Sequence, residues 1–239
     1  MTADRPSGSW AVRAANLYDE AYARRYRDRD DELQGVGSNR DLIEWIGGVC
    51  DRFDHPIDVL DLGCGTGRYF WGLRKLATLT GIDASGPMLD EAKRPIHAER
   101  LAGVPVTLVQ GDLLGHVFRP ASFDLVYSVG VLAEHVPLDR AFVERVQGWL
   151  KPGGRFAFTT VHPKSPSVPQ TVSRRLASTV IDALPQALTG SLHQRLVVNG
   201  MYADERWVSA ILRGRFQIES FEPFQSDVHL HGRCVAVRQ

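Results

Sequence analysis

The stretch Val59-Leu60-Asp61-Leu62-Gly63-Cys64-Gly65-Thr66-Gly67 decides how this chain folds, because it runs an apolar strand into a glycine-rich turn with a carboxylate at the entrance. Glycines at alternate positions let backbone approach a ligand without Cβ clashes, as in any nucleotide-binding strand-turn-helix. A pyrophosphate wants backbone amides and no negative neighbour. Asp61 stands two residues before the first glycine, where it can accept a hydrogen bond from an ammonium group, so the turn suits a cationic, phosphate-free cofactor. The dinucleotide fingerprint G-x-G-x-x-G also fails: counted from Gly63 its third glycine falls on Arg68, and counted from Gly65 on Phe70.

Outward from that turn, strands and helices alternate. Leu42, Ile43, Trp45, Ile46 and Val49 have helical spacing, with Ser38 or Asn39 as N-cap. Tyr69 to Leu73 reads as the helix after the turn, Leu79 to Asp83 as a second strand, and Met88, Leu89 and Ala92 as helix. Val106–Gln110 and Phe123–Ser128 are strands three and four. Phe142, Val143, Val146, Trp149 and Leu150 mark an amphipathic helix stopped at Lys151-Pro152-Gly153-Gly154, and Arg155 to Thr160 is strand five. Trp207, Val208, Ile211 and Leu212 form the last helix, before strands at Phe216–Phe221 and Arg233–Val237. Such alternation predicts an α/β fold with a parallel, doubly wound sheet, which binds ligands at the carboxyl ends of its strands. Asp61, Asp83, Asp112 and Ser128 stand at those ends. Asp124, in contrast, sits at a strand start and reads as structural.

Two regions break the alternation. Residues 1–37 form a lid segment with Tyr18, Tyr22 and Tyr26 on one helical face. Residues 161–205 are far longer than an ordinary loop of about 4 to 6 residues and read as a substrate cap with helices around Leu176, Val180, Ile181, Leu184 and Leu188. The core is then 38–160 completed by 206–239.

Composition narrows the functional classes. The 239 residues are 44% hydrophobic, and Lys plus Arg and Asp plus Glu both number 28. A protein that binds nucleic acid through phosphates usually carries a basic excess, which is missing here. Cys50, Cys64 and Cys234 are odd in number and form no C-x-x-C, against a disulfide framework or zinc site. His229 and His231 have a spacing that could ligate metal, but no adjacent carboxylate completes a site, so no metal is expected. Asp4, Arg5, Arg13 and Asp19 interrupt the first twenty residues, and no eighteen-residue apolar stretch follows. A cytoplasmic protein, with no membrane or nucleic-acid partner, is the expectation.

Four motifs in order, Asp61–Gly67, Gly81-Ile82-Asp83-Ala84-Ser85, Gln110-Gly111-Asp112-Leu113 and Leu150-Lys151-Pro152-Gly153-Gly154-Arg155, resemble those of class I S-adenosylmethionine-dependent methyltransferases. The resemblance is strong over roughly 40–160. It implies a Rossmann-like seven-stranded sheet, mostly parallel with an antiparallel last strand, and S-adenosyl-L-methionine as cofactor. It also implies that Asp61, with the Gly63 and Gly65 backbone, holds the methionine ammonium, directly or through water, and that Cys64 belongs to the cofactor site. Asp83 would take both ribose hydroxyls and Asp112 the adenine amino group, with the Leu113 amide at a ring nitrogen. Ala84 and Met88 would flank the adenine, and Ser128 and Val129 would lie beneath the sulfonium. Family members often carry an N-terminal aromatic lid, for which Tyr22 is the candidate here, and Arg40 could meet the cofactor carboxylate.

Methyl transfer is an in-line displacement, and a base is needed when the acceptor is a hydroxyl or protonated amine. His162 directly follows strand five and His135 follows strand four; these are the two candidate bases. The long cap favours an enclosed small-molecule acceptor, methylated on oxygen or nitrogen, over RNA or protein; a non-catalytic cofactor-binding role is the remaining alternative.

Overall fold

The computed structural model describes residues 12, 16–33, 36–166, 168, 180, 202–226 and 229–239. Most of the expected cap, with its helices, lies outside the described residues. The described elements are α1 (Glu20–Leu33), α2 (Ser38–Asp51), β1 (Ile57–Leu62), β2 (Leu76–Asp83), α3 (Gly86–Ala92), β3 (Val106–Gln110), β4 (Phe123–Ser128), α4 (Arg140–Trp149), β5 (Leu150–Val161), α5 (Glu205–Leu212), β6 (Phe216–Gln225) and β7 (Leu230–Arg238).

The seven strands form one sheet in the order β3-β2-β1-β4-β5-β7-β6. The pairings from β3 through β5 are parallel, and β7 runs antiparallel to both β5 and β6. The order reverses between β1 and β4, which places a crevice at their carboxyl ends. Because side chains alternate across a strand, Leu60, Leu62, Val126, Phe156 and Phe158 face a core closed by α4 and α5. Val59, Leu125, Tyr127 and Ala157 face the opposite core, against Ile46, Val49 and Cys50 of α2.

Four local expectations are corrected. Tyr69 to Leu73 is not an α-helix; only a 3-10 turn forms, at Phe70–Gly72. The chain from Gly63 to Lys75 must travel back along β1, about 20 Å for six residues at roughly 3.3 Å each, and an α-helix rising about 1.5 Å per residue has no room to do so. Gly72 also packs so closely on α2 that a Cβ there would lie 2.8 Å from Ile43 Cγ2. The N-cap of α2 is Gly37, at φ 57°, with no side-chain cap from Ser38 or Asn39. β5 begins at Leu150, so the Lys151–Gly154 turn is absorbed into an irregular strand whose register against β4 shifts between Phe123 and Leu125. Tyr18 precedes α1 and is not part of it.

Candidate functional site

The glycine turn is built for close approach. Gly63, Gly65 and Gly67 all have positive φ (78°, 53° and 74°), a region that favours glycine. A Cβ on Gly63 would come 2.5 Å from Val131 Cγ2. The amides of Gly63 and Cys64 both donate to the Ile82 carbonyl, at 2.8 and 3.1 Å. That clips the turn to the end of β2 and brings Asp83 beside it. Asp83 then accepts two backbone hydrogen bonds, Oδ2 from Gly65 and Oδ1 from Ser85, each 2.9 Å. Each oxygen keeps acceptor capacity.

Asp83 borders a cavity of about 110 Å³ together with Gly63, Gly65, Ala84, Met88, Asp112, Leu113 and Val129, all predicted from sequence, and with Tyr18, Tyr26, Gly130, Val131, His135 and Val136. A larger cavity of about 640 Å³ adjoins it; Tyr18, Tyr26, Val129, Gly130 and His135 line both. Tyr22 borders the larger cavity only.

Asp61, Cys64 and Ser128 line neither cavity. Asp61 lies opposite Tyr127 in the β1/β4 ladder, so both side chains leave the same face, and the Tyr127 hydroxyl donates to the Asp61 carboxylate. Asp61 is 2% exposed. Burial pushes its carboxyl up to about 8, opposed by the Tyr127 hydrogen bond and reinforced by nearby Asp83. Burial also raises Asp83, against its backbone hydrogen bonds. Cys64 points down onto Gly81, where a Cβ would lie 2.8 Å from its sulfur, and burial raises its thiol. Ser128 Oγ donates to the Leu62 carbonyl at 2.8 Å, beneath the floor.

The loop after β4 carries His135. Its backbone is tied on itself, with the amides of His135 and Val136 both donating to the Val131 carbonyl at 2.9 and 3.0 Å. His135 Nε2 is 3.2 Å from the Tyr18 hydroxyl and 3.7 Å from Glu134 Oε1. Burial, then His229, holds the imidazole below its ordinary pKa, so it is neutral at pH 7. Burial raises Glu134 to about 7. His162 lines neither cavity; its Nδ1 accepts from the Lys164 amide at 3.0 Å.

One component was missed in the sequence. Asp30 on α1, 1% exposed, accepts from Thr66 Oγ1 and Arg68 Nε, both in the glycine turn. The Arg68 guanidinium in turn lies 4.0 Å from the Tyr26 ring centroid. A second tie joins Ser85 Oγ to the Tyr18 carbonyl at 2.6 Å. These hold the lid against the turn and set Tyr18 and Tyr26 as cavity walls. The available signal was spacing: Asp30 follows Tyr26 by four residues, and Arg68 directly follows Gly67. Arg40 is exposed and lines neither cavity. His231 bonds Ser226 Oγ at 3.0 Å and its ring centroid is 5.4 Å from that of His229. Among the described residues no group of three metal-ligating side chains occurs, and no helix is long and apolar enough to cross a membrane.

A glycine turn at the β1 carboxyl end, acidic residues at the end of β2 and after β3, and a sheet with one reversed strand are the features this chain shares with class I S-adenosylmethionine-dependent methyltransferases. Residues 59–154 match the family described as a methyltransferase domain. The chain is 32% identical over 150 residues to the ubiquinone biosynthesis O-methyltransferase of Photorhabdus laumondii, covering 60% of this chain and 59% of that protein. With the enzyme of the same name from Klebsiella pneumoniae strain 342 it shares 36% over 147 residues, covering 60% and 58%. The match thus spans just under three fifths of these relatives. Among solved structures, magnesium protoporphyrin IX methyltransferase from Synechocystis PCC 6803 with bound SAH superposes with a TM-score of 0.63 at 18% identity, covering 97% of this chain and all of that one. The N-methyltransferase NodS of Bradyrhizobium japonicum gives 0.59 at 14%, covering 87% and 90%.

Proposed function

We propose that this chain is a methyltransferase that binds S-adenosyl-L-methionine in the smaller cavity and methylates an oxygen of a small-molecule acceptor held in the larger one. The observation that carries the reading is the shared wall: His135, neutral and hydrogen-bonded, stands where the two cavities meet.

The residues fit the cofactor. Asp83, already oriented by two amides, has acceptor capacity for a vicinal diol. Asp112, whose Oδ1 accepts from the Leu114 amide at 2.9 Å, has a second oxygen for an exocyclic amine. Leu113 and Met88, both buried, give apolar walls to a flat ring. The turn beside Gly63 and Gly65 leaves room for a chain carrying an ammonium, and the field of Asp61 beneath favours that charge. When bound, the cofactor supplies a methyl group activated on a sulfonium.

Val129 and Gly130 line both cavities. Tyr18 holds the His135 ring. The acceptor hydroxyl releases its proton to His135 Nε2, exchanging that atom's bond to Tyr18 for one to the acceptor. His162, committed to its own loop, is the weaker candidate. Homologues named for O-methylation in a biosynthetic route favour oxygen over nitrogen and a small molecule over a polymer.

The test is incubation with methyl-labelled cofactor and fractionated small-molecule extracts, wild type beside His135→Asn. Label should enter a small molecule, and the variant should lose about 10² to 10⁴ in kcat with unchanged cofactor affinity. Label in no small molecule, despite tight cofactor binding, would turn the reading toward a binding protein.

A further inference from the structure

The inward face of α1 is unlike a core face. Tyr22, Tyr26, Arg29 and Leu33, spaced by four, three and four residues, all line the larger cavity. The first two rings stack with centroids 5.8 Å apart and planes 24° from parallel. Arg29, exposed at the cavity's edge, then adds a positive charge to that face. Arg24 pairs with Glu20, Arg27 with Asp31 and Arg68 with Asp30, while Arg25 lies 5.9 Å from the Tyr22 ring centroid. Arg29 makes no hydrogen bond or ion pair among the described residues. Among the described lining residues the one carboxyl is Glu134, which burial raises to about 7. His231, across the cavity, is held neutral by burial, which lowers it to about 4. The chamber therefore offers an anion one free guanidinium beside a wall of aromatic rings.

Resting on the function proposed above, we propose that the acceptor is a hydroxylated aromatic acid, its ring against Tyr22 and Tyr26, its carboxylate on Arg29 and its hydroxyl at His135. Geometry sets the length. Tyr22 touches Tyr18, which bonds His135, with Tyr18 and Tyr22 centroids 4.9 Å apart. Arg29 lies seven residues beyond Tyr22, about 10 Å along the helix axis. A ring with a two- or three-carbon acidic arm spans such a distance; a bare benzoate does not. In the reaction the acceptor oxygen bonds the methyl carbon as the carbon–sulfur bond breaks. The electron pair stays on sulfur, leaving the thioether product, and the hydroxyl proton goes to His135. Arg29 takes no part in these steps and acts on specificity alone.

The experiment uses matched phenols with labelled cofactor: 3,4-dihydroxycinnamate, its methyl ester, 3,4-dihydroxybenzoate and catechol, assayed with wild type and Arg29→Gln. Cofactor affinity of both proteins is measured separately by calorimetry. Wild type should favour the cinnamate over its ester by about tenfold or more in kcat/KM, as expected for a charge-assisted hydrogen bond, and Arg29→Gln should erase that preference without changing cofactor affinity. Equal use of acid and ester by wild type, or a preference that survives in the variant, overturns the proposal. A loss of cofactor affinity in Arg29→Gln would give the arginine to the cofactor carboxylate and overturn it too. Methylation of none of the four, with cofactor still bound, rejects the aromatic acid while leaving the cofactor site standing.

Discussion

The two ends of the sheet carry the same residue type in opposite electrostatic states. At the end where β1, β4 and β5 begin, Asp58 and Asp124 share the Lys151 ammonium, at 2.8 and 2.7 Å, and Asp124 also accepts from the Asp58 amide at 2.8 Å. Burial would raise the Asp58 carboxyl, but Lys151 and Thr78 outweigh it and the group lies below its ordinary range. At the carboxyl end, Asp61 and Asp83 have hydrogen bonds but no cation among the described residues, and both are raised. A buried carboxylate without a counter-charge costs stability, so its presence calls for a ligand. The paired end organises the strands, whereas the unpaired end is where the function proposed above places a cationic, donor-rich molecule.

The comparison breaks most sharply at Asp83. Replacing it by alanine removes acceptors for two charged hydrogen bonds, together about 3 to 6 kcal/mol, so calorimetry should find cofactor affinity lowered at least about 100-fold. Asp30→Ala tests whether the unpaired end depends on its lid. A buried ion pair that loses one partner costs about 3 to 5 kcal/mol, which should release α1 from the turn. Amide exchange in Tyr22 to Leu33 should accelerate and cofactor dissociation should quicken, whereas Asp30→Glu should restore part of both. The smallest effect belongs to the paired end. Lys151 is about a third exposed, so Lys151→Ala should cost only about 1 kcal/mol, or roughly 2 to 4 °C in Tm, with cofactor affinity unchanged. Because the folded pKa of Asp58 is depressed, the stability it contributes is present above its unfolded pKa and is lost as the pH falls. The Tm difference between wild type and Lys151→Ala should therefore shrink in acid.

Much of this contrast was legible in the sequence, for a physical reason. Strands three and four were placed at their observed bounds because short apolar runs flanked by turn residues have few other readings, and Asp83 and Asp112 follow directly from where strands end. What stayed hidden depended on pairing across the fold. That Asp61 is shielded by Tyr127 follows from strand register, which periodicity does not reveal. Tyr22, the lid candidate, borders the larger cavity only, whereas Tyr18 and Tyr26 border both, a division that spacing along a helix does not reveal. Asp30 looked like one more charge among Arg27, Asp28, Arg29 and Asp31; only the packed helix shows it buried. A 3-10 turn stands after Gly67 where a helix was expected, because apolar spacing alone ignores the distance a crossover must travel.

The proposal most open to test is that Asp61, buried beneath the glycine turn, responds to a cationic ligand bound above it. With a folded pKa of about 8, it is mostly protonated at pH 7 and must ionise when positive charge arrives above it. Calorimetric titration of S-adenosylmethionine at pH 7 in buffers of different ionisation enthalpy counts the protons exchanged. Wild type should release close to one more proton per cofactor than Asp61→Asn, and its affinity should climb between pH 6 and 8 while that of the variant does not. Equal proton counts in the two proteins would contradict the account.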